Sequence, residues 1–453
     1  MHETVLGSAP VRRVARGSVT AFAIIAAGVG LTYCSQLLIA RVVGVDMYGI
    51  YAYVIAWIGV LAYFSALGFD VALLRFVPAY HAEKSWALLR GVVQYAQRRA
   101  ILVGVMVMLV GMLVIIARGT DMGSTDRNTF IIGLIMIPLW ALLWIRCSVV
   151  RAFGGVASAV APERVIREGM LIGIVALAGW SLKLKVNAPL LMLATVVSTA
   201  VALGPASLAM GRLRPGAIID VSPIYAAATW RRVALPLVII GAAEALMNRT
   251  GVLLLGWFGD TRSAGIYNLA FNIAFVAALP RTAVNTLFAP TISSLFARKD
   301  QSMLQLLFAR AASWTLCSAA CIALVLAVFA ELVLSWFGPG FSEGVPALRI
   351  LLLGQVIAAS AGSQQHVMTM TGHERSAAAI LILSACANAI FSVTLINLIG
   401  LTGAAISMTG ALIVWNLTMA LFLWRRLHLV PGMLALFRSP PALEGRLRDN
   451  ALS

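Results

Sequence analysis

Glu244, Asn248 and Arg249 stand inside one apolar run, at about 233–257. Within hydrocarbon, a charge at mid-helix costs about 2.5–3.5 kcal/mol on insertion scales, so each such group needs a partner or a task. Glu244 and Asn248 share a helix face at one-turn spacing, whereas Glu244 and Arg249 lie about 140° apart and pair poorly along the helix. The chemistry open to them is ion handling at Glu244 and contact with an anionic or polar cargo at Arg249 and Asn248. The plainer alternative is a structural ion pair with neighbouring helices. Arg281, after Pro280, lies deeper in its run than a snorkelling residue should. Arg146 and Arg41 sit near run ends, where long stems can reach the headgroups.

Two further runs are polar for their depth. One holds Gln355, Ser360, Gly362, Ser363, Gln364, Gln365, His366 and Thr369. No single face accommodates them all, so part of that helix must line water or be broken. His366 could serve in proton coupling or be a buried histidine bonded to a nearby hydroxyl. The first run carries Thr32, Tyr33, Ser35 and Gln36. The candidate substrate path is therefore Arg249, Arg281, Arg146, Asn248, Gln36 and Gln364, and the candidate ion-coupling groups are Glu244 and His366. A coupling ion, H+ or Na+, is the one addition considered, and no cofactor is implied.

Enzymatic signatures are missing. No G-x-x-x-x-G-K-[ST] occurs, since none of the four lysines follows a glycine. His373-Glu374 is followed by Arg375 and no second histidine, so there is no H-E-x-x-H. Cys317 and Cys321 lie one turn apart on one helix and cannot make a structural zinc site alone. No catalytic residue and no metal ligand set is assigned, and the chain reads as a carrier rather than an enzyme.

The elements that must position these groups are set by composition. The 453 residues are 61% hydrophobic and 11% charged, against about 25% charged in soluble chains. Apolar runs of about 20 residues mark about twelve membrane spans. The first six fall near 18–42, 49–69, 98–117, 129–150, 165–183 and 188–210. The second six fall near 233–257, 265–289, 311–337, 346–371, 377–398 and 403–424. The runs are continuous rather than alternating, which predicts helices and not a barrel. The net charge of +17 is distributed by topology. Arg12, Arg13, Arg90, Arg98, Arg164, Arg167, Arg212, Arg231 and others fall on one side, with roughly a threefold excess that makes it cytoplasmic. Both termini lie there, and nucleic acid is excluded as a partner.

Half the chain apart, Gly44 precedes Met47-Tyr48-Gly49-Ile50-Tyr51 and Gly259 precedes Ser263-Ala264-Gly265-Ile266-Tyr267. Each Gly-Ile-Tyr opens the second span of a six-span half, and repeated halves are typical of secondary transporters, whose path lies where the halves meet. The register aligns the polar stretch of the first span with Glu244, Asn248 and Arg249 in the seventh, so charge handling is expected in the second half. The expected architecture is all-α and polytopic, with two pseudo-symmetric six-helix bundles at 1–211 and 233–428. A cytoplasmic linker occupies 212–232, and a loosely ordered tail runs over 429–453. Trp86, Leu88 and Leu89 among Lys84 and Arg90 suggest an interfacial segment within 70–97.

Several segments resemble a known family. Ile39-Ala40-Arg41-Val42-Val43-Gly44, Tyr48-Gly49-Ile50-Tyr51 and Leu67-Gly68-Phe69-Asp70 are similar to the opening of bacterial polysaccharide and oligosaccharide flippases. These belong to the multidrug/oligosaccharidyl-lipid/polysaccharide exporter superfamily. Ala234-Leu235-Pro236 and Gly265-Ile266-Tyr267-Asn268 fit its midpoint, and Met370-Thr371-Gly372-His373-Glu374-Arg375 its C-terminal half. The resemblance implies twelve helices in two V-arranged bundles working by alternating access in the bacterial inner membrane. Its usual cargo is an undecaprenyl-pyrophosphate-linked oligosaccharide for O-antigen, capsule or exopolysaccharide synthesis. Polyprenyl-linked glycan and membrane lipids are the implied partners, together with glycan polymerase or glycosyltransferases. A pyrophosphate needs cationic contacts in a low-dielectric path, which suits Arg249, Arg281 and Arg146. Many relatives carry an aspartate in the seventh span where this chain has Asn248-Arg249, which puts ion coupling there in doubt. The competing expectation is a small-molecule or drug antiporter of the same superfamily.

Overall fold

The computed structural model describes residues 8–118, 122–181, 185–282, 284, 292, 295, 301–430 and 432, with side chains from residue 27 onward other than 180, 181 and 301. Among the described residues, nine helices are long and apolar enough to cross a membrane. Two of them are double. α1 (Ser8–Ala66) turns at Gly44, whose φ of 75° interrupts the helix. The last helix, Glu374–Leu427, turns at Ile399 and Gly400. A further segment, Val156–Ser181, is interrupted by π turns at Pro162–Ile166 and Leu177–Ser181. Counting each bent helix as two spans and adding the π-interrupted segment recovers the twelve expected from the apolar runs. The chain is an all-α polytopic membrane protein.

It divides into two compact units, Met1–Ala245 and Leu246–Ser453. In the first, the span reading of 49–69 and 98–117 meets longer helices. Residues 69–97 form α2 (Phe69–Ala82) and the start of α3 (Trp86–Ala117). α4 (Ser124–Leu134) and α5 (Met136–Ala152) follow, then α6 (Val156–Ala161), α7 (Arg167–Ala176) and α8 (Ala188–Leu213). α5 is central, packing on α1, α2, α3 and α8. Its Ala141, Ile145 and Val149 recur at one-turn spacing and enter one buried cluster with Phe69, Leu73, Leu89 and Trp230. On α3, by contrast, Met106, Leu109, Val110 and Leu113 are exposed, as a helix at the lipid boundary requires.

In the second unit, α9 (Ala227–Trp257) contributes its end and α10 (Thr261–Phe275) follows. The expected end of the eighth span, near 289, lies outside the described residues. Helix Val345–Ala361 packs on Gln301–Val328, α10 and Glu374–Leu427. It stops at Gly362 (φ 72°), and a second short helix runs from Gln364 to Met370. This is the break that the polar residues of that run required. The tail expectation is corrected at its start. Leu429 is buried, and the Gln305 side-chain amide donates to the Val430 carbonyl at 3.0 Å while accepting its N–H at 2.8 Å. Two backbone bonds to one amide hold the chain there; from 433 the expectation falls outside the described residues.

Local signals set the ends. Asn187 accepts the N–H of Leu190 at 3.1 Å and so caps α8, with a proline in its first turn. Asp260 does the same for α10, accepting the N–H of Ser263 at 2.8 Å. Hydroxyls buried in α8 are satisfied by its own backbone: Thr195, Ser198 and Thr199 donate to the carbonyls of Leu191, Ala194 and Thr195. The chain enters α2 through Gly68 in the left-handed conformation, φ 71°. A Cβ there would lie 2.5 Å from the Ala234 carbonyl oxygen. Gly68→Ala is therefore expected to lose about 1–2 kcal/mol from handedness alone, with the carbonyl contact adding to it. A lowered unfolding temperature in detergent checks this.

Candidate functional site

A polar cluster of the first unit lies where α1, α5, α7 and α8 meet. Arg167 and Glu168 open α7 directly after the Pro162–Ile166 π turn, with the Arg167 N–H bonded back to the Pro162 carbonyl. The Arg167 guanidinium donates to Glu168 Oε1 at 2.5 Å, with side-chain exposures of 15% and 5%. The other carboxylate oxygen accepts the Ser35 hydroxyl at 2.5 Å. Both oxygens of a buried anion are thus occupied, one by a cation and one by a neutral donor. Neighbours on a regular α-helix point about 100° apart; the long arginine stem, placed at the π turn, closes that gap.

Aromatic rings complete the cluster. The Arg167 guanidinium lies 5.4 Å from the centroid of Trp140, whose ring is 5.1 Å from that of Trp144. Trp144 donates its indole N–H to Glu163 at 3.0 Å. The Tyr51 and Thr195 hydroxyls share a hydrogen bond of 3.1 Å, and Tyr48 donates to Gln36 at 2.5 Å. Two donors are left over: Arg167 Nε and the Trp140 indole N–H are buried without a hydrogen-bond partner among the described residues. A cation, flat aromatic faces and spare N–H groups form the set that recognises phosphate and sugar.

Of the residues singled out in the sequence, Gln36 joins this unit's polar network through Tyr48. Arg146 is half-buried and its guanidinium donates to the Ser207 hydroxyl of α8. The snorkelling expectation for Arg146 is thereby corrected: a hydroxyl inside the bundle serves its head instead. Glu244 is exposed on α9, within electrostatic reach of the Tyr63 hydroxyl.

In the second unit, Arg249 donates to Asn268 Oδ1 at 3.0 Å, reaching from α9 to α10, and Asn268 is buried. Asn248 is half-buried. The neighbouring Met247 carbonyl accepts the buried Asn388 amide at 3.1 Å. Arg281 and His366 come within electrostatic reach of each other, and both are half-buried. Gln364 is buried just past the Gly362 break, and its Oε1 has no partner among the described residues.

Sequence reasoning missed Arg167, Glu168, Trp140 and Trp144. Counting charges assigned Arg167 to a cytoplasmic loop, because Arg164, Arg167 and two acids crowd the start of the fifth span and dilute its apolar signal. Arg164 is indeed exposed, whereas Arg167 is not. The Trp140/Trp144 one-turn pair, set in a span facing that charged start, was the available clue.

The comparisons follow this geometry. A model of the polysaccharide biosynthesis protein family matches residues 14–296. No curated protein sequence matches. Among solved structures, the chain is similar to an inward-facing multidrug resistance MATE family transporter of the MOP superfamily. That likeness has a TM-score of 0.71 and 14% identity, covering 88% of this chain and 94% of the other. It is also similar to a mutant of the Vibrio cholerae MATE transporter VcmN, with TM-score 0.57, 14% identity and coverage of 88% and 98%. A MOP superfamily transporter from Pyrococcus furiosus, described by the reverse polarity of its binding pocket, gives TM-score 0.55 at 15% identity, covering 92% and 95%. At such identities the likeness is one of fold.

Proposed function

This chain belongs to the polysaccharide biosynthesis protein family, and from that premise we propose that it turns a polyprenyl-pyrophosphate-linked oligosaccharide across the bacterial inner membrane by alternating access. The single observation carrying this reading is the half-buried Arg167 guanidinium, lying over Trp140, which packs on Trp144, with its Nε unused. A pyrophosphate brings charge that only a cation can stabilise at low dielectric, and a sugar brings apolar ring faces that stack on indole. Glu168 keeps the cation compensated when no cargo is present, so Arg167 need not be buried alone.

In this reading Arg249, Arg281, Arg146, Asn248, Gln36 and Gln364 contact the headgroup along its path, and Glu244 and His366 are the candidates for coupling to H+ or Na+. The lipid tail stays in the bilayer, so no cavity has to enclose it. The product of a glycosyltransferase is the natural cargo and a glycan polymerase the natural consumer. O-antigen, capsule or exopolysaccharide synthesis is the setting, with both termini cytoplasmic.

The experiment is leaflet exchange. Purified protein is placed in liposomes carrying a fluorescent undecaprenyl-pyrophosphate oligosaccharide, and a membrane-impermeant quencher reports which leaflet the label occupies. Protein-dependent exchange is expected. Liposomes that extrude cationic dyes but leave the lipid-linked sugar in place would instead favour a drug antiporter.

A further inference from the structure

The segment joining α8 to α9 is held as a strap across the start of α3. Arg90 Nη1 donates to the carbonyls of Ile219 at 2.6 Å and Val221 at 2.8 Å, with Ile218 at 3.4 Å. The Ile224 N–H donates to the Ala87 carbonyl at 3.0 Å. Tyr225 donates to Gln94 Oε1 at 3.1 Å, and Arg98 reaches the Tyr225 hydroxyl at 3.5 Å. Gly91 lies directly under the Ile224 carbonyl, where a Cβ would collide with it. The strap's backbone is therefore fixed.

A fixed strap would be expected to bury its apolar side chains, and Ile218 is buried. Ile219, Ile224 and Tyr225 are not: they are 51%, 57% and 46% exposed. The elements that the strap crosses and joins carry exposed arginines: Arg98, which reaches Tyr225, and Arg99 on α3, Arg212 at the end of α8 with Arg214 just beyond, and Arg231 and Arg232 at the start of α9. Contact between Gln97 and Met210 ties the end of α8 to α3 beside them. Asp220 is the one acid between Arg212 and Arg232. Exposed apolar side chains among clustered arginines, at the ends of membrane-spanning helices, suit a headgroup region: anionic phosphates outside, acyl chains below.

We propose that the strap and its surrounding arginines form a binding surface for anionic phospholipid headgroups. The arginines engage the lipid phosphates while Ile219, Ile224 and Tyr225 enter the acyl boundary. Arg90 belongs to the strap's anchorage instead, since its guanidinium is used on backbone carbonyls. The surface does not depend on the cargo reading above.

The full chain in nanodiscs of equal parts phosphatidylcholine and phosphatidylglycerol tests this, with retained lipids counted by native mass spectrometry. The wild type is expected to enrich phosphatidylglycerol over the disc's composition, and less so at high salt. The variant Arg98→Gln/Arg212→Gln/Arg214→Gln should lose about fivefold in preference per arginine removed, with its unfolding temperature unchanged in phosphatidylcholine alone. Should the variant fail to fold, the salt dependence of the wild type decides. Equal retention in wild type and folded variant, or a wild-type preference absent or indifferent to salt, would overturn the proposal and leave the surface to an acidic protein partner.

Discussion

Glu168→Ala is expected to destabilise the first unit by about 3–5 kcal/mol, the usual effect of removing one partner of a buried ion pair. The Arg167 guanidinium would remain behind, its Nε already without a partner, held by the Trp140 ring and the electrostatic reach of Glu163. Ser35 would also lose its carboxylate acceptor. Glu168→Gln should cost much less, because an amide oxygen still accepts from Arg167 and its NH2 can turn toward Ser35. The informative companion is the double change Arg167→Met/Glu168→Leu, which replaces the pair by apolar groups of similar size and should restore most of the stability. Under the proposed function that double variant folds but does not flip, separating the pair's structural role from its chemical one. Thermal unfolding in detergent and leaflet exchange in liposomes are the two readouts. A Glu168→Ala protein as stable as the wild type would remove the ion pair from the account of the fold.

The same residues show what could and could not be read beforehand. The paired Gly-Ile-Tyr segments were legible because their cause is local. Each follows a left-handed glycine, Gly44 (φ 75°) or Gly259 (φ 90°), that ends one span and starts the next. Both tyrosines then point into packed interior, Tyr51 onto Thr195 and Tyr267 against Gly251. The break at Gly362 was legible for an equally local reason, since Gln355 through Thr369 could not share one helix face. The ion pair was not legible. Its members are adjacent in sequence, a spacing that does not pair on a regular helix, and the π turn that reorients them has no composition signature of its own. The pair's surroundings depend on Trp140 reaching Arg167 and Ser35 reaching Glu168 from distant parts of the chain. The repeat pointed to Glu244, Asn248 and Arg249 in the seventh span; the Arg167–Glu168 pair of the first half carries no mark in that register.

Arg249→Ala tests whether the second unit takes a direct part in transport. Its guanidinium donates to Asn268, which is buried on α10 beside Tyr267 of the repeat. A guanidinium carries its N–H donors in a fixed fork, so one edge can hold an asparagine oxygen while another meets a phosphate. Truncating a desolvated charge contact costs about 2–5 kcal/mol, and about 1.4 kcal/mol is a factor of ten. Transport of the lipid-linked sugar should therefore fall by about a hundredfold while the protein keeps its normal level in the membrane. Arg249→Lys should recover little, since an ammonium offers no planar fork to bridge Asn268 and a phosphate together. Asn268→Ala separates the alternatives. If Arg249 serves only to hold α9 against α10, both variants lower the unfolding temperature alike and transport follows stability. If it meets the cargo, Asn268→Ala keeps the charge and retains much of the transport that Arg249→Ala loses. Full complementation of a flippase-null strain by Arg249→Ala would take this arginine out of the pathway.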